Sequence, residues 1–330
     1  MYRRCTLRNK FRRLSISYLG NIMFYALLEK IGYYRIKKRW RDYTLRKRLI
    51  YEDTKQREST LCAIESINGL ILQKKNDTSD IIVSLTSYGV RVTETLPYSL
   101  FSLLKQTIKP NRIIVWLDEK NWNESNLPTP LNKLHEAGVE FMFYEDIRSY
   151  KKLIPTLRLY PNNLIITVDD DLYYNQHLIE WLLDAYMKSD KRTVIGTNAT
   201  GVGVKDGKYL PYSQWLPNDI SAAELCLIGC GGILYPPSVF DNEILKHDLF
   251  MRLAPTADDL WFWVMEKRVG LRTTVASHYG AHIHTAVNRL NVYFPEENPD
   301  TLYYLNELIG NKNDEQLNNL INYYQLSPSV

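Results

Sequence analysis

The stretch Leu164-Ile165-Ile166-Thr167-Val168-Asp169-Asp170-Asp171 is a largely apolar run that ends abruptly in three carboxylates. A short run of this kind predicts a strand that is covered on both faces. Similar runs occur at 81–85, 113–117, 139–144 and 193–197, and helical patterns separate them. Strands that alternate with helices at this spacing predict an α/β fold with a mostly parallel central sheet.

The three acids after residue 168 are the first candidate site. In open α/β sheets ligands bind beyond the carboxyl ends of the strands, and adjacent carboxylates there repel one another unless a cation lies among them. Hard cations take oxygen ligands, and Mg²⁺ fills its remaining positions with water and substrate phosphates. The pattern therefore predicts a Mn²⁺ or Mg²⁺ site that binds a diphosphate. The alternative is a solvated acidic turn that caps a helix starting near Asn175.

A second pair of acids, Asp258 and Asp259, precedes Leu260-Trp261-Phe262-Trp263. One of these carboxylates is predicted to take a proton from an acceptor hydroxyl, and Trp261 is predicted to form part of a stacking platform for a sugar. The alternative is that the two acids cap a helix and favour its dipole.

Three further groups complete the candidate residues. The basic residues Arg148, Lys151 and Lys152 precede the acidic strand and are predicted to meet phosphate oxygens, unless they are solvated loop charges. The glycine-rich turn at 229–232 predicts a place where the backbone approaches a ligand closely, as a pocket wall that includes Gly231 and Gly232. His282 or His284 is a candidate to complete the metal shell.

The basic charge is concentrated at the start of the chain. Residues 1–50 contain fifteen Lys and Arg against two acids, whereas the whole chain has a net charge of +4. The uncharged run Leu14–Leu28 is shorter than the ~20 apolar residues of a spanning helix, and aromatic residues flank it. We therefore predict a helical segment that lies on an anionic membrane surface; a solvated basic helix pair packed on the body is the alternative. No nucleic-acid reader motif accompanies the charge.

These features predict three regions. Residues 1–78 form a basic helical extension, residues 79–290 a catalytic domain, and residues 291–330 a C-terminal segment with a final helix. Four scattered cysteines do not suggest a disulfide framework, so a reducing cytoplasm is the expected compartment.

Several stretches in order resemble the family-two-like bacterial glycosyltransferases of the GT-A fold. They are "IIVSLTSYGVRVTETLPYSLFSLLKQTIKPNRIIVWLDE", "EDIRSYKKLIPTLRLYPNNLIITVDDDLYY", "GCGGILYPP" and "PTADDLWFW", and the late "NKNDEQL" is similar to the branch that serves capsular polysaccharide and lipopolysaccharide assembly. The resemblance covers about residues 80–325 and implies a single Rossmann-like domain of GT-A type.

The resemblance also implies residue roles. Asp259 corresponds to the general base of inverting members, with Asp258 beside it, although this chain has Asp-Asp where many members have Glu-Asp. Asp171 is the implied main metal ligand, with Asp169 near the ribose and metal. The residues expected near the nucleotide-sugar are Thr86, Tyr88, Arg91, Asp118, Lys152, Asp169 and Asp170.

The sequence thus predicts a metal-dependent, inverting hexosyltransferase. It would move a sugar from a nucleotide-sugar, expected to be a UDP-sugar, to a glycan or lipid-linked acceptor at the inner face of the cytoplasmic membrane. Two alternatives stay open at this point. One is a nucleotidyl- or phosphotransferase that uses the same acidic site, and the other is a non-catalytic membrane-bound adaptor of a polysaccharide assembly complex.

Overall fold

The computed structural model describes residues 33–69, 71–72, 81–276, 293–294, 306 and 310–328. The chain divides into two units, the first ending at Glu52 and the second running from Asp53. His278, His282 and His284 lie outside the described residues, so the predicted histidine ligand has no structural description.

A mixed seven-stranded sheet forms the centre of the second unit. Its strands, in chain order, are β1 (Ile81–Thr86), β2 (Arg112–Asp118), β3 (Val139–Tyr144), β4 (Leu164–Thr167), β5 (Thr193–Gly196), β11 (Ile233–Tyr235) and β12 (Arg272–Val275). Five shorter strands lie between β5 and β11: β6 (Ala199–Gly201), β7 (Val204–Lys205), β8 (Lys208–Tyr209), β9 (Leu216–Pro217) and β10 (Leu225–Leu227). They form a β10-β6-β9 sheet and a β7-β8 hairpin.

The described α-helices are α1 (Tyr33–Glu65), α2 (Arg91–Glu94), α3 (Leu96–Leu104), α4 (Thr129–Glu136), α5 (Ile154–Leu159), α6 (Leu178–Met187), α7 (His247–Leu253), α8 (Asp258–Arg268) and α9 (Lys312–Tyr324). Short 3₁₀ helices cover Glu124–Asn126, Arg148–Lys152, Tyr212–Gln214, Gly229–Gly231 and Asn242–Leu245. Within the described part of the chain, no helix combines the length and apolar character needed to cross a membrane.

The order of the large sheet is β12-β5-β11-β4-β1-β2-β3. All neighbouring pairs are parallel except those of β11, which runs antiparallel between β4 and β5. The predicted α/β class with a mostly parallel sheet, a helical N-terminal part and a C-terminal helix is therefore confirmed.

Two large apolar clusters are buried on the two faces of the sheet, and a small third one contains Ile82, Ile114 and Trp116. Because successive side chains of a strand point to opposite faces, Ile166 and Leu234 belong to one cluster and Ile165 and Ile233 to the other. The second cluster also contains most of the apolar residues of α8. The acidic residues that follow β4 and begin α8 are thus held by fully packed elements.

Candidate active site

The acidic triplet Asp169–Asp171 follows β4 after one residue, Val168, at the carboxyl edge of the parallel strands. Asp170 and Asp171 are buried, whereas about a third of the Asp169 side chain is exposed to solvent. The neighbouring β1 ends beside them, so its following residue Ser87 reaches the triplet and donates its hydroxyl hydrogen bond to Asp170. The triplet is therefore an inward-facing part of the fold and not a solvated turn.

Arg91, at the start of α2, binds two of the three acids. Its Nη1 lies 2.8 Å from Asp170 Oδ1 and 3.1 Å from Asp171 Oδ2. These two carboxylates raise the pKa of Arg91 against the opposing effect of burial, which is the largest single influence. In this arrangement Arg91 offsets one of the three negative charges of the triplet, and its predicted contact with the nucleotide stays a prediction.

Lys152 joins the triplet to the second acidic pair. Its Nζ lies 3.2 Å from Asp169 Oδ1 and 3.0 Å from Asp258 Oδ2, and its side chain is only 7% exposed. The two neighbouring basic residues face elsewhere: Lys151 pairs with Asp146, and Arg148 donates to the carbonyl of Pro255. Of the three basic residues that the sequence proposed for phosphate contacts, only Lys152 reaches the acids.

Asp258 and Asp259 begin α8 but have different partners. Asp258 pairs with Lys152 and accepts a hydrogen bond of 2.8 Å from Ser149 Oγ. Asp259 accepts the backbone N–H of Gly229, with nitrogen–oxygen distances of 3.1 and 3.2 Å. Burial, followed by the charge of Asp258, raises the pKa of Asp259 to about 7. The two acids therefore divide into an ion-paired carboxylate and one whose proton affinity suits acid–base chemistry near neutral pH.

Gly229 fits between these groups because it has no side chain. A Cβ at this position would lie 2.6 Å from Lys152 Nζ and 3.0 Å from Asp259 Oδ1. Gly229 thus allows the close backbone approach that was predicted for the whole turn, although here the approaching groups belong to the protein.

The charges of the site do not balance. Five carboxylates (Asp169, Asp170, Asp171, Asp258 and Asp259) surround two cations (Arg91 and Lys152), which leaves three negative charges in excess when all are ionised. Burial is the main reason that the pKa of Asp171 rises to about 7. A site of this charge and donor chemistry fits a divalent cation that carboxylate oxygens hold together with substrate phosphates. The described residues alone contain no cluster of three or more His, Cys, Asp or Glu side chains that would hold a metal.

Three other residues predicted to contact the nucleotide lie at the same edge of the sheet. Thr86 donates its hydroxyl hydrogen bond to the carbonyl of Trp116, and Tyr88 is half exposed with Arg91 over its ring at 5.2 Å. Asp118, at the end of β2, is buried and accepts two hydrogen bonds from Asn121. Tyr88 is therefore partly accessible at this edge, whereas Asp118 stabilises its own turn.

The structure does not support the predicted stacking of a sugar on Trp261, whereas the predicted acceptor contacts of Gly231 and Gly232 stay predictions. Trp261 is fully buried, and its Nε1 donates to the carbonyl of Ile244, so no ring face is available to a sugar. A Cβ on Gly231 would lie 2.4 Å from Thr197 Oγ1, and Gly232 has a φ of 94°. Both glycines are therefore required by the fold itself.

Glu266 was not identified from the sequence. It lies two helical turns beyond Asp259 on α8, is fully buried, and its Oε2 has no hydrogen-bond partner within the described residues. Burial, followed by the charge of Asp259, raises its pKa well above the usual range. Nothing in the residue pattern distinguishes this glutamate from the exposed acids of other helices. Only its burial sets it apart, and burial is visible only in the structure.

We expect the free energy of unfolding of Glu266→Gln to increase relative to that of the wild type as pH rises. A carboxyl group whose pKa is higher in the folded than in the unfolded state loses folding free energy above its unfolded pKa, here near 4.5. The slope is at most about 1.4 kcal/mol per pH unit and ends at the folded pKa. Urea unfolding of both proteins between about pH 5 and about pH 8 measures the difference. Exposed Glu119→Gln is the control, and a pH-independent difference for Glu266→Gln would show that the buried carboxyl is ionised.

Comparisons with known proteins gave similarity only at the level of solved structures. No family model matches the chain, and no curated protein matches it. The chain is similar to 2-C-methyl-D-erythritol 4-phosphate cytidylyltransferase from Francisella tularensis, with 14% identity over 66% of this chain and 100% of the other and a TM-score of 0.38. It is also similar to inositol-1-phosphate CTP transferase from T. maritima, with 13% identity, 72% and 100% coverage and a TM-score of 0.38. A third similar structure is an apo UDP-glucose pyrophosphorylase, with 10% identity, 66% and 99% coverage and a TM-score of 0.37.

The prediction of a hexosyltransferase is wrong by these comparisons. The similar structures are cytidylyltransferases and a pyrophosphorylase, which are nucleotidyltransferases. At such low identities and TM-scores they assign no reaction to this chain, which must be argued from the site.

Proposed function

We propose that this chain is a nucleotidyltransferase that binds a nucleoside triphosphate at the carboxyl edge of its sheet. In the proposed reaction an acceptor oxygen bonds to the α-phosphorus, the bond from that phosphorus to the bridging oxygen breaks, and pyrophosphate leaves.

The buried ammonium group of Lys152 is the observation that carries this proposal. Phosphoryl and nucleotidyl transfer depend mainly on positioning and on electrostatic stabilisation of negative charge. A fixed cation with little access to water is well suited to that purpose, because its field is weakly screened. A sugar centre with oxocarbenium character, by contrast, is destabilised by a neighbouring ammonium group.

The excess of three carboxylates supports a divalent cation, Mg²⁺ or Mn²⁺, as cofactor. Asp169 and Asp171 are the proposed ligands, as the sequence predicted. When bound, the cation would neutralise charge on the triphosphate. Arg91 is close enough to Asp170 and Asp171 to keep these carboxylates oriented.

Asp259 is the proposed general base for an acceptor that carries a hydroxyl group. Its partner Gly229 fixes the carboxylate through the backbone, and its pKa of about 7 allows it both to accept and to release a proton near neutral pH. Asp258 is the proposed positioning residue, because its carboxylate holds Lys152.

Product analysis by ³¹P NMR tests the proposed reaction. The protein is incubated with Mg²⁺, CTP or UTP, and either a neutral sugar or a sugar 1-phosphate. We expect pyrophosphate to form together with a new nucleotide diester or diphosphate. No product from any triphosphate, combined with release of UDP from a UDP-sugar, would contradict nucleotidyl transfer.

Membrane association of the N-terminal region is a separate proposal. Residues 33–52 contain eight Lys and Arg against two acids, and Lys37, Lys38 and Trp40 on α1 are exposed. Each basic residue near an anionic surface contributes about 1 kcal/mol. We expect Lys37→Gln with Lys38→Gln to weaken binding to vesicles of anionic lipid about 30-fold.

Vesicle sedimentation measures this effect. The control is Lys205→Gln with Lys208→Gln, which removes two exposed charges from the β7-β8 hairpin. Equal loss of binding in both double variants would show that general charge, and not α1, determines the association.

A further inference from the structure

A cavity of about 520 Å³ lies beside the turn that contains Gly229. Its lining includes Asn198, Thr200, Ser213, Asn313 and Asp314. This volume is within the range of pockets that bind small molecules.

The cavity wall is held in place before any ligand binds. The carboxylate of Asp314, in the first turn of α9, accepts hydrogen bonds of 2.8 Å from both the backbone N–H and the hydroxyl of Ser213. Trp215 is buried, and its Nε1 donates to the carbonyl of Leu210 at 3.0 Å. The start of α9 and the 3₁₀ helix Tyr212–Gln214 therefore meet at a fixed position, and preorganisation of this kind reduces the entropic cost of binding.

The lining has the chemistry of a site for hydroxyl groups. Carboxamides both donate and accept hydrogen bonds, hydroxyl side chains do the same, and aromatic residues supply apolar surface. None of the described lining residues is Lys, Arg or His. The described lining thus offers a phosphate group no cationic side chain, in contrast to the edge that contains Arg91 and Lys152.

Two contacts connect the cavity to the proposed base. The carbonyl of the lining residue Asn198 accepts the backbone N–H of Ile228 at 3.0 Å, and the Asn198 side chain donates to Cys230 Sγ at 3.4 Å. Ile228 also lines the cavity and immediately precedes Gly229, whose N–H binds Asp259. The same turn therefore contributes one residue to the cavity wall, Ile228, and the next residue, Gly229, to the binding of Asp259.

We propose that this cavity binds a neutral, polyhydroxylated acceptor such as a sugar, and that it presents one hydroxyl group toward Asp259. This inference rests on the proposed function. It adds the acceptor class: the hydroxyl oxygen bonds to the α-phosphorus, its proton passes to Asp259, and pyrophosphate leaves with the electrons of the broken bond.

Saturation-transfer NMR with single sugars tests the cavity. The probes are D-glucose, D-galactose and N-acetyl-D-glucosamine, with glucose 1-phosphate as the charged counterpart. We expect at least one neutral sugar to give a signal that falls five-fold or more in Thr200→Val and in Asn313→Leu. Thr107→Val, which lies at the contact with Gln176 and Glu180, is the matched control and should keep the signal.

The outcomes separate this inference from the proposed function. Absence of signal from all three neutral sugars, or a signal unchanged in Thr200→Val, overturns the assignment of the cavity. Valine keeps the branched shape of threonine, so this variant remains informative even when Asn313→Leu does not fold. Calorimetric binding of UTP is measured on the same samples: sugar binding that persists without UTP binding supports the cavity and contradicts the proposed function.

Discussion

Replacing Lys152 with methionine is expected to abolish nucleotidyl transfer and to lower the free energy of unfolding by about 3–5 kcal/mol. The ammonium group lies between Asp169 and Asp258 at 3.2 and 3.0 Å, and the side chain is almost fully buried. Methionine preserves most of the volume but leaves two carboxylates without their cation. Loss of one partner from a buried ion pair is destabilising because the remaining charge is desolvated.

Lys151→Met is the matched control for this experiment. Lys151 is also buried, but its partner Asp146 is more than half exposed, so the carboxylate that remains is hydrated. We expect a smaller loss of stability than for Lys152→Met and unchanged calorimetric binding of UTP. Chemical unfolding and UTP titration of both variants measure the two effects. Equal losses of stability and of UTP binding in the two variants would mean that Lys152 contributes no more to the site than Lys151 does.

Asp259→Asn is expected to lower turnover by about 10²–10⁴ while nucleotide affinity stays close to that of the wild type. Asparagine retains an oxygen that can accept the Gly229 N–H, so the local geometry is preserved, but it cannot take a proton. In the wild type, the pKa of Asp259 near 7 predicts a rate that rises with pH up to about 7 and then levels. The variant should lose this dependence.

The pH dependence of the free energy of unfolding tests the same carboxyl group independently. The pKa of Asp259 is higher in the folded protein than its ordinary value of 3.8. The wild type therefore loses folding free energy relative to Asp259→Asn as pH rises from about 4 to about 7. Undiminished turnover in the variant would exclude Asp259 as the base, whatever the stability profile shows.

The sequence predicted β4 and its acids well because both signals are local. An apolar run of strand length, followed at once by Asp169, needs no knowledge of distant residues. The antiparallel insertion of β11 between β4 and β5 was not predicted, because strand order depends on contacts between segments far apart in the chain.

The errors at the site have a common physical origin. Trp261 lies two residues after Asp259, yet α8 is buried on nearly all sides, so its aromatic residues belong to the core. The pattern contains no polar face that would have distinguished a core helix from a binding platform. Likewise, the sequence alone does not distinguish Arg148, Lys151 and Lys152, because all three are basic residues of one short segment. The 3₁₀ helix Arg148–Lys152 determines which of their side chains reaches the acids, and that side chain is Lys152.

The hexosyltransferase prediction was wrong for a related reason. Carboxylates at the end of a parallel strand predict a bound pyrophosphate group, but donors of sugars and donors of nucleotides both contain one. Sugar transfer and nucleotide transfer differ in which protein groups face the reacting centre. The sequence does not show that Lys152 is buried beside the acids, because this position depends on the fold.

Calorimetric titration of UTP with and without Mg²⁺ tests most directly whether the acidic edge binds a triphosphate through a cation. The proteins are the wild type, the double variant Asp169→Asn with Asp171→Asn, and Asp241→Asn as a control at an exposed helix cap. We predict that Mg²⁺ strengthens UTP binding to the wild type and the control at least tenfold and has little effect on the double variant. If the carboxylates only repel the nucleotide, the double variant will instead bind UTP more tightly than the wild type with Mg²⁺ present, and that result would contradict the account.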